Sequence, residues 1–183
     1  MMYAIIQRLK RALTYGGAGA AVAMTLMNPT VLDAIKGFEG GCKGGKCVSY
    51  IDAVGEPTIG YGHTNMAGTL AFNLGEVWTE DFATTMLDKD LKTYWDAVDR
   101  AVKVPLTQCQ MSVLTSWTYN VGPGNMRSST LIKRVNAGKL DAVPAQLMRW
   151  NKGRVRGKLT VLRGLSRRRA AEGVLWSTNC GGR

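Results

Sequence analysis

Glu39, Asp52 and Thr58 stand in order just ahead of the run Gly60-Tyr61-Gly62-His63-Thr64, in a chain of 183 residues. Two carboxylates and a hydroxyl at this spacing can do one demanding job, the cleavage of a sugar–sugar bond. That reaction needs one protonated acid for the leaving oxygen and one ionised group that manages the opposite face of the ring. Ile35 and Phe38 flank Glu39 and predict an apolar shoulder that helps this acid keep its proton. Asp52 lies in a polar segment rich in turn residues, which predicts an ionised partner. Glu56 is the nearby decoy, with Pro57 marking a turn tip. His63 is the chain's only histidine; standing alone, it reads as a structural residue.

These groups need elements to hold them. Val31, Leu32, Ile35 and Phe38 recur at helical spacing, predicting a helix over 30–38 that delivers Glu39 at its C-terminal end. Residues 48–61 switch to short strands broken by Gly55 and Pro57, predicting a hairpin or three-stranded sheet that carries Asp52 and Thr58 on one wall of a cleft. Thr79 with Glu80 and Asp81 predicts a helix start, with the helix running to Val102 and stopping before Pro105. Thr107 to Gln110 has capping-box form, and Gly122-Pro123 ends the helix it opens. Further helices are expected over 129–135, after an Asp141 cap, and over 164–175. Trp78, Trp95, Trp117 and Trp150 read as core. The fold class is α+β, mainly helical.

The ordered motifs resemble the phage endolysin lysozymes of glycoside hydrolase family 24, of signal-anchor-release type. The Asp52-to-Thr58 spacing and the run Gly60 to His63 carry this resemblance. So do Trp117-Thr118-Tyr119-Asn120-Val121-Gly122, Ser129-Thr130-Leu131, Asn136-Ala137-Gly138 and Gly164-Leu165-Ser166-Arg167-Arg168-Arg169-Ala170-Ala171-Glu172. One departure stands out. The family usually places eight residues between the glutamate and the aspartate, and this chain has twelve, the extra ones falling in 40–47. The resemblance implies a two-lobed fold: a small N-terminal sheet lobe, a linking helix and a helical C-terminal lobe. It implies a muramidase that cleaves the β-1,4 link between N-acetylmuramic acid and N-acetylglucosamine with inversion, without metal or other cofactor, and acts as a monomer. Glu39 would be the acid, and Asp52 with Thr58 would hold the attacking water. Asn120 would bind substrate, one of Arg167, Arg168 or Arg169 would approach the acid, and His63 would make a supporting ion pair, with Asp90 as the expected partner. A lytic transglycosylase and a non-catalytic membrane- or polyanion-binding protein are the alternatives.

Charge is unevenly placed. From Arg127 onward there are fourteen Lys and Arg against Asp141 and Glu172, so this part holds +12 of a net charge of +11. Such a surface suits an anionic wall polymer. Its aromatics do not alternate with its cations, which argues against specific nucleic-acid recognition.

Arg8, Lys10 and Arg11 precede a charge-free run over 12–32. As a helix this run would be about 31 Å long, near the thickness of a bilayer core. It is rich in Ala, Gly and Thr, a weak composition for a permanent anchor. Three readings stand: a signal peptide cleaved near Ala21-Val22-Ala23, a stable anchor, or a weak anchor that later leaves the bilayer. The last is favoured and divides the chain into a signal-anchor segment, 1–30, and a catalytic domain, 31–183. It places the domain in the periplasm, tethered to the inner membrane and then released. Four cysteines allow three pairings. The glycine-rich loop between Cys42 and Cys47 can close on itself, which leaves Cys109 with Cys180; zinc binding by all four is the lesser alternative. Gly40-x4-Gly45-Lys46 imitates a phosphate-binding loop, but Cys47 replaces the hydroxyl and the flanking elements are in the wrong order.

Overall fold

The computed structural model describes residues 25–52, 55–67 and 69–181. The first helix, α1, spans Pro29–Glu39. The Asn28 side chain accepts from the amides of Thr30 and Val31, and Pro29 supplies the fixed φ of a first helical turn. Val31, Leu32 and Ile35 form its buried face, and Gly40, at φ 67°, ends it. Glu39 is therefore its last residue, as its sequence position predicts.

Five short strands follow: β1 (Lys46–Val48), β2 (Tyr50–Ile51), β3 (Pro57–Ile59), β4 (His63–Thr64) and β5 (Val77–Thr79). β2, β3 and β4 make a three-stranded antiparallel sheet, with Tyr50 opposite Thr58 and Thr58 opposite Thr64; its third strand lies beyond the 48–61 range expected. β1 pairs instead with β5, setting Cys47 opposite Trp78. No local signal announces that second pairing.

The linking helix, α2 (Glu80–Ala101), starts where Thr79 accepts the Phe82 amide and ends in extended backbone at Val102. Its 22 residues span about 33 Å. α3 (Gln108–Val121) carries the predicted capping box between Thr107 and Gln110. Every residue from Cys109 to Thr118 is buried, so α3 is the axis of the larger lobe. Around it lie α4 (Pro123–Ser128), α5 (Thr130–Asn136), α6 (Val143–Met148) and α7 (Arg163–Val174), and a wide turn over Leu175–Asn179 closes the lobe. The architecture is α+β and mainly helical.

One local expectation needs correction, and one element is new. Asp141 caps nothing. It sits within a 3-10 turn, Leu140–Ala142, that runs straight into α6, so no residue has the extended backbone an N-cap needs. A hairpin of β6 (Lys152–Val155) and β7 (Lys158–Val161) was not anticipated. Arg156 and Gly157 both have positive φ, 47° and 80°, the two-residue turn usually announced by Asn-Gly or Asp-Gly.

The cysteines pair as Cys42–Cys47 and Cys109–Cys180. No thiolate is left for zinc. Residues 1–24 of the proposed signal-anchor lie outside the described residues. Residues 25–30 join the packed lobe: Met27 is fully buried, the Leu26 and Met27 amides donate to Asp88, and the Asn28 amide donates to Ser112. Among the described residues no helix is long and apolar enough to cross a membrane.

Candidate active site

Glu39 projects from the C-terminal end of α1 with its side chain 24% exposed. Its Oε1 accepts a hydrogen bond from Arg168 Nη1 at 2.7 Å. This answers which of the three consecutive arginines approaches the acid. It also corrects the expectation of an apolar shoulder: the Phe38 ring carries the Arg168 guanidinium 5.0 Å from its centroid, so the acid's neighbour is a cation resting on an aromatic face.

Asp52 follows β2 at the hairpin corner and is half-buried. Its amide donates to the Glu56 carbonyl at 3.0 Å, and its Oδ1 accepts the Glu56 amide at 2.9 Å. Thr58, buried in the central strand, donates through Oγ1 to the same Glu56 carbonyl at 3.1 Å. Asp52 and Thr58 are thus tied through one peptide group, and Glu56 enters this arrangement through its backbone.

The Glu39 and Asp52 segments meet at a backbone crossing. A Cβ on Gly41 would sit 1.9 Å from the carbonyl oxygen of Gly60, and Gly41 has φ +94°, so only glycine fits. Gly41 comes two residues after Glu39 and Gly60 two residues after Thr58. Beyond Gly41 the Cys42–Cys47 disulfide closes a loop that leads into β1.

Near the end of α3, Tyr119 reaches the smaller lobe. Tyr119 donates to the Tyr61 carbonyl at 3.1 Å, packs edge-on against Tyr94, and approaches Gly62 so closely that a Cβ there would lie 2.9 Å from its hydroxyl. Burial and the negative charge of Glu39 push the Tyr119 hydroxyl's pKa up, which keeps it a donor. A cavity of about 280 Å³ opens beside it, lined by Gly62, Thr64, Met66, Thr93, Tyr94 and Asp90. Asn120 is exposed, and its Oδ1 accepts from Arg169 Nη1 at 3.1 Å.

His63 supports the site from behind. Its Nδ1 lies 2.7 Å from Asp90 Oδ2, the partner expected from sequence, and its Nε2 lies 2.7 Å from the Leu70 carbonyl. Thr69 donates to the other Asp90 oxygen. His63 packs among Phe72 and Trp78, so this pair holds β4 to α2 from inside the small lobe.

Sequence reasoning missed the interior partners of the arginines, Ser116 and Glu172. Burial pushes the Glu172 carboxyl's pKa up, opposed by Arg169, Arg168 and the Ser116 hydroxyl, and burial pushes the Arg169 guanidinium's down. The spacing of Arg168 and Arg169 to Glu172, four and three residues along one helix, was the available signal. Among the described residues no three His, Cys, Asp or Glu side chains gather as metal ligands.

Residues 38–172 match the family model described as phage lysozyme. The chain is 36% identical over 130 residues to an endolysin of Acyrthosiphon pisum secondary endosymbiont phage 1, covering 71% of this chain and 86% of that one. It is 33% identical over 135 residues to a SAR-endolysin of Enterobacteria phage PA-2, covering 74% and 75%. Among solved structures, the muramidase domain of SpmX from Asticaccaulis excentricus superposes with a TM-score of 0.72 at 31% identity, covering 83% of this chain and 97% of that one.

Proposed function

This chain belongs to the phage lysozyme family, and on that premise we propose that Glu39, Asp52 and Thr58 are its catalytic residues. The protein is a peptidoglycan-hydrolysing lysozyme, an endolysin for host cell lysis. Its bond is the β-1,4 link between N-acetylmuramic acid and N-acetylglucosamine. Glu39 protonates the glycosidic oxygen as the bond breaks. Asp52, with Thr58 beside it, holds and activates a water on the opposite face of the ring, and attack there inverts the anomeric carbon. Asn120 contacts the glycan from the larger lobe. Such a mechanism requires the two carboxyls to stand about 6.5–9.5 Å apart, leaving room for the water.

The observation that carries this reading is the crossing of Gly41 over Gly60, which locks the segment bearing the acid to the sheet bearing Asp52 and Thr58. Digestion of purified peptidoglycan followed by mass analysis tests it. Products ending in a reducing muramic acid, with one oxygen taken from labelled water, are expected. Anhydro-muramic ends would assign the chemistry to a lytic transglycosylase instead.

The inner membrane is the proposed partner before lysis, through residues 12–32. Residues 25–32 belong to that apolar run and also to the packed lobe, where Met27, Val31 and Leu32 are buried. They cannot occupy both places at once, so leaving the bilayer would accompany completion of the lobe and release the enzyme into the periplasm. Membrane fractionation before and after collapse of the proton gradient should show the chain moving to the soluble fraction with rising activity. Equal activity in both fractions would contradict the coupling.

A further inference from the structure

Glu172 is fully buried, yet two separate parts of the candidate site converge on it. Ser116 Oγ donates to its Oε1 at 2.9 Å, and Arg169 Nη2 donates to the same oxygen at 2.9 Å. Arg169 Nε lies 2.7 Å from Oε2, and Arg168 Nε lies 3.4 Å from Oε1. From this point the two guanidiniums diverge. Arg168 reaches Glu39 at 2.7 Å, and Arg169 reaches Asn120 at 3.1 Å.

The physical need for a carboxylate here is plain. Arg168 and Arg169 are 6% and 0% exposed, and two adjacent buried cations repel each other unless a counter-charge lies between them. Glu172 is placed to be that charge, and Ser116 keeps it from rotating. A guanidinium is a planar fork, so fixing one edge fixes the direction of the other. Arg168 and Arg169 can each therefore be aimed from inside the lobe by a residue that touches no substrate.

We propose that Glu172 is the positioning residue of this site: it aims Arg168 at Glu39 and Arg169 at Asn120, so one interior carboxylate orients both the acid and a glycan contact. This rests on the reading of Glu39 as the acid and Asn120 as a substrate contact. The two branches have different kinetic consequences. Disorder of Arg168 misplaces the acid and lowers kcat, whereas disorder of Arg169 loosens Asn120 and raises KM.

The test measures kcat and KM per folded molecule on purified glycan strands for Glu172→Gln, Arg168→Gln, Arg169→Gln and the double variant Arg168→Gln/Glu172→Gln. Arg168→Gln should lower kcat about tenfold with KM little changed, and Arg169→Gln should raise KM about threefold with kcat little changed. Glu172→Gln should show both defects. Added to Arg168→Gln, it should lower kcat by less than about twofold more, because the branch it acts through is already gone. A Glu172→Gln protein that melts earlier yet keeps wild-type kcat and KM per folded molecule would reduce Glu172 to a packing role and overturn the proposal. Glu172→Asp keeps the charge but withdraws it by one methylene, so it carries the same test if the glutamine variant does not fold; unchanged kinetics there overturn the proposal as well. Full turnover by Glu39→Gln would remove the acid assignment itself and the Arg168 branch with it. Wild-type kinetics in Glu172→Gln beside an inactive Glu39→Gln would reject only the positioning role.

Discussion

Gly41 lies so close to Gly60 that a single added carbon would sit 1.9 Å from the Gly60 carbonyl oxygen. The contact joins the loop behind Glu39 to the turn behind Thr58, so the relative placement of acid and sheet is set by backbone packing. Gly41→Ala should therefore damage turnover as well as stability. The positive φ alone costs about 1–3 kcal/mol for a side-chain-bearing residue. Thermal melting and turnover at a temperature where the variant is folded check this. An unchanged melting point would show that the crossing yields easily.

Exchange of Asp90 for Asn should affect folding more than chemistry. His63 and Asp90 are buried at 3% and 8% exposure, and both imidazole nitrogens meet oxygen acceptors. Losing the carboxylate acceptor of such a buried hydrogen bond costs about 1.5–3 kcal/mol. Denaturant unfolding should show that loss while the folded fraction keeps most of its turnover. Lost turnover with an unchanged unfolding midpoint would instead place the pair in the chemistry.

The two disulfides should be unequal in their effects. Cys109–Cys180 spans 71 residues, and the chain-entropy relation assigns it about 4 kcal/mol. Cys42–Cys47 spans five, and the same relation gives about 2 kcal/mol. Serine replacement of the first pair should lower stability most. Replacement of the second should lower turnover more per folded molecule, because that loop carries the chain from Glu39 into the sheet lobe. The reverse ranking in both assays would contradict this division.

Acid should loosen the turn at Glu76. The Trp78 indole and the Asn73 amide hold the Glu76 carboxyl's pKa below 4.5. A lowered folded value means stability that is fully present above the unfolded value and lost as the pH falls through the folded one. Glu76→Gln should therefore melt earlier than wild type at pH 7, and the gap should shrink below pH 4. A constant gap at both pH values would show that the ion contributes nothing.

Local chemistry made much of this molecule legible. Thr79 and Thr107 announce their helices because a capping hydroxyl acts on amides only two or three residues away. Asp52 and Thr58 are likewise close enough in sequence to share one peptide group. What stayed hidden depends on distant packing. Arg167, Arg168 and Arg169 point about 100° apart around α7, and only the docking of α7 against α3 selects Arg168 for Glu39, 129 residues away. That same docking turned an expected apolar shoulder into an ion pair. The β1–β5 pairing and the burial of Met27 are equally non-local. The β6–β7 hairpin escaped notice because Arg156 takes a turn position where Asn or Asp is the usual signal.

The most direct measurement is turnover of purified peptidoglycan by Glu39→Gln, with folding verified by its melting curve. Amide for acid removes the transferable proton while keeping shape, so a folded protein with turnover reduced at least about a hundredfold is expected. A folded variant that still cleaves glycan at the wild-type rate would contradict the assignment of Glu39 as the proton donor.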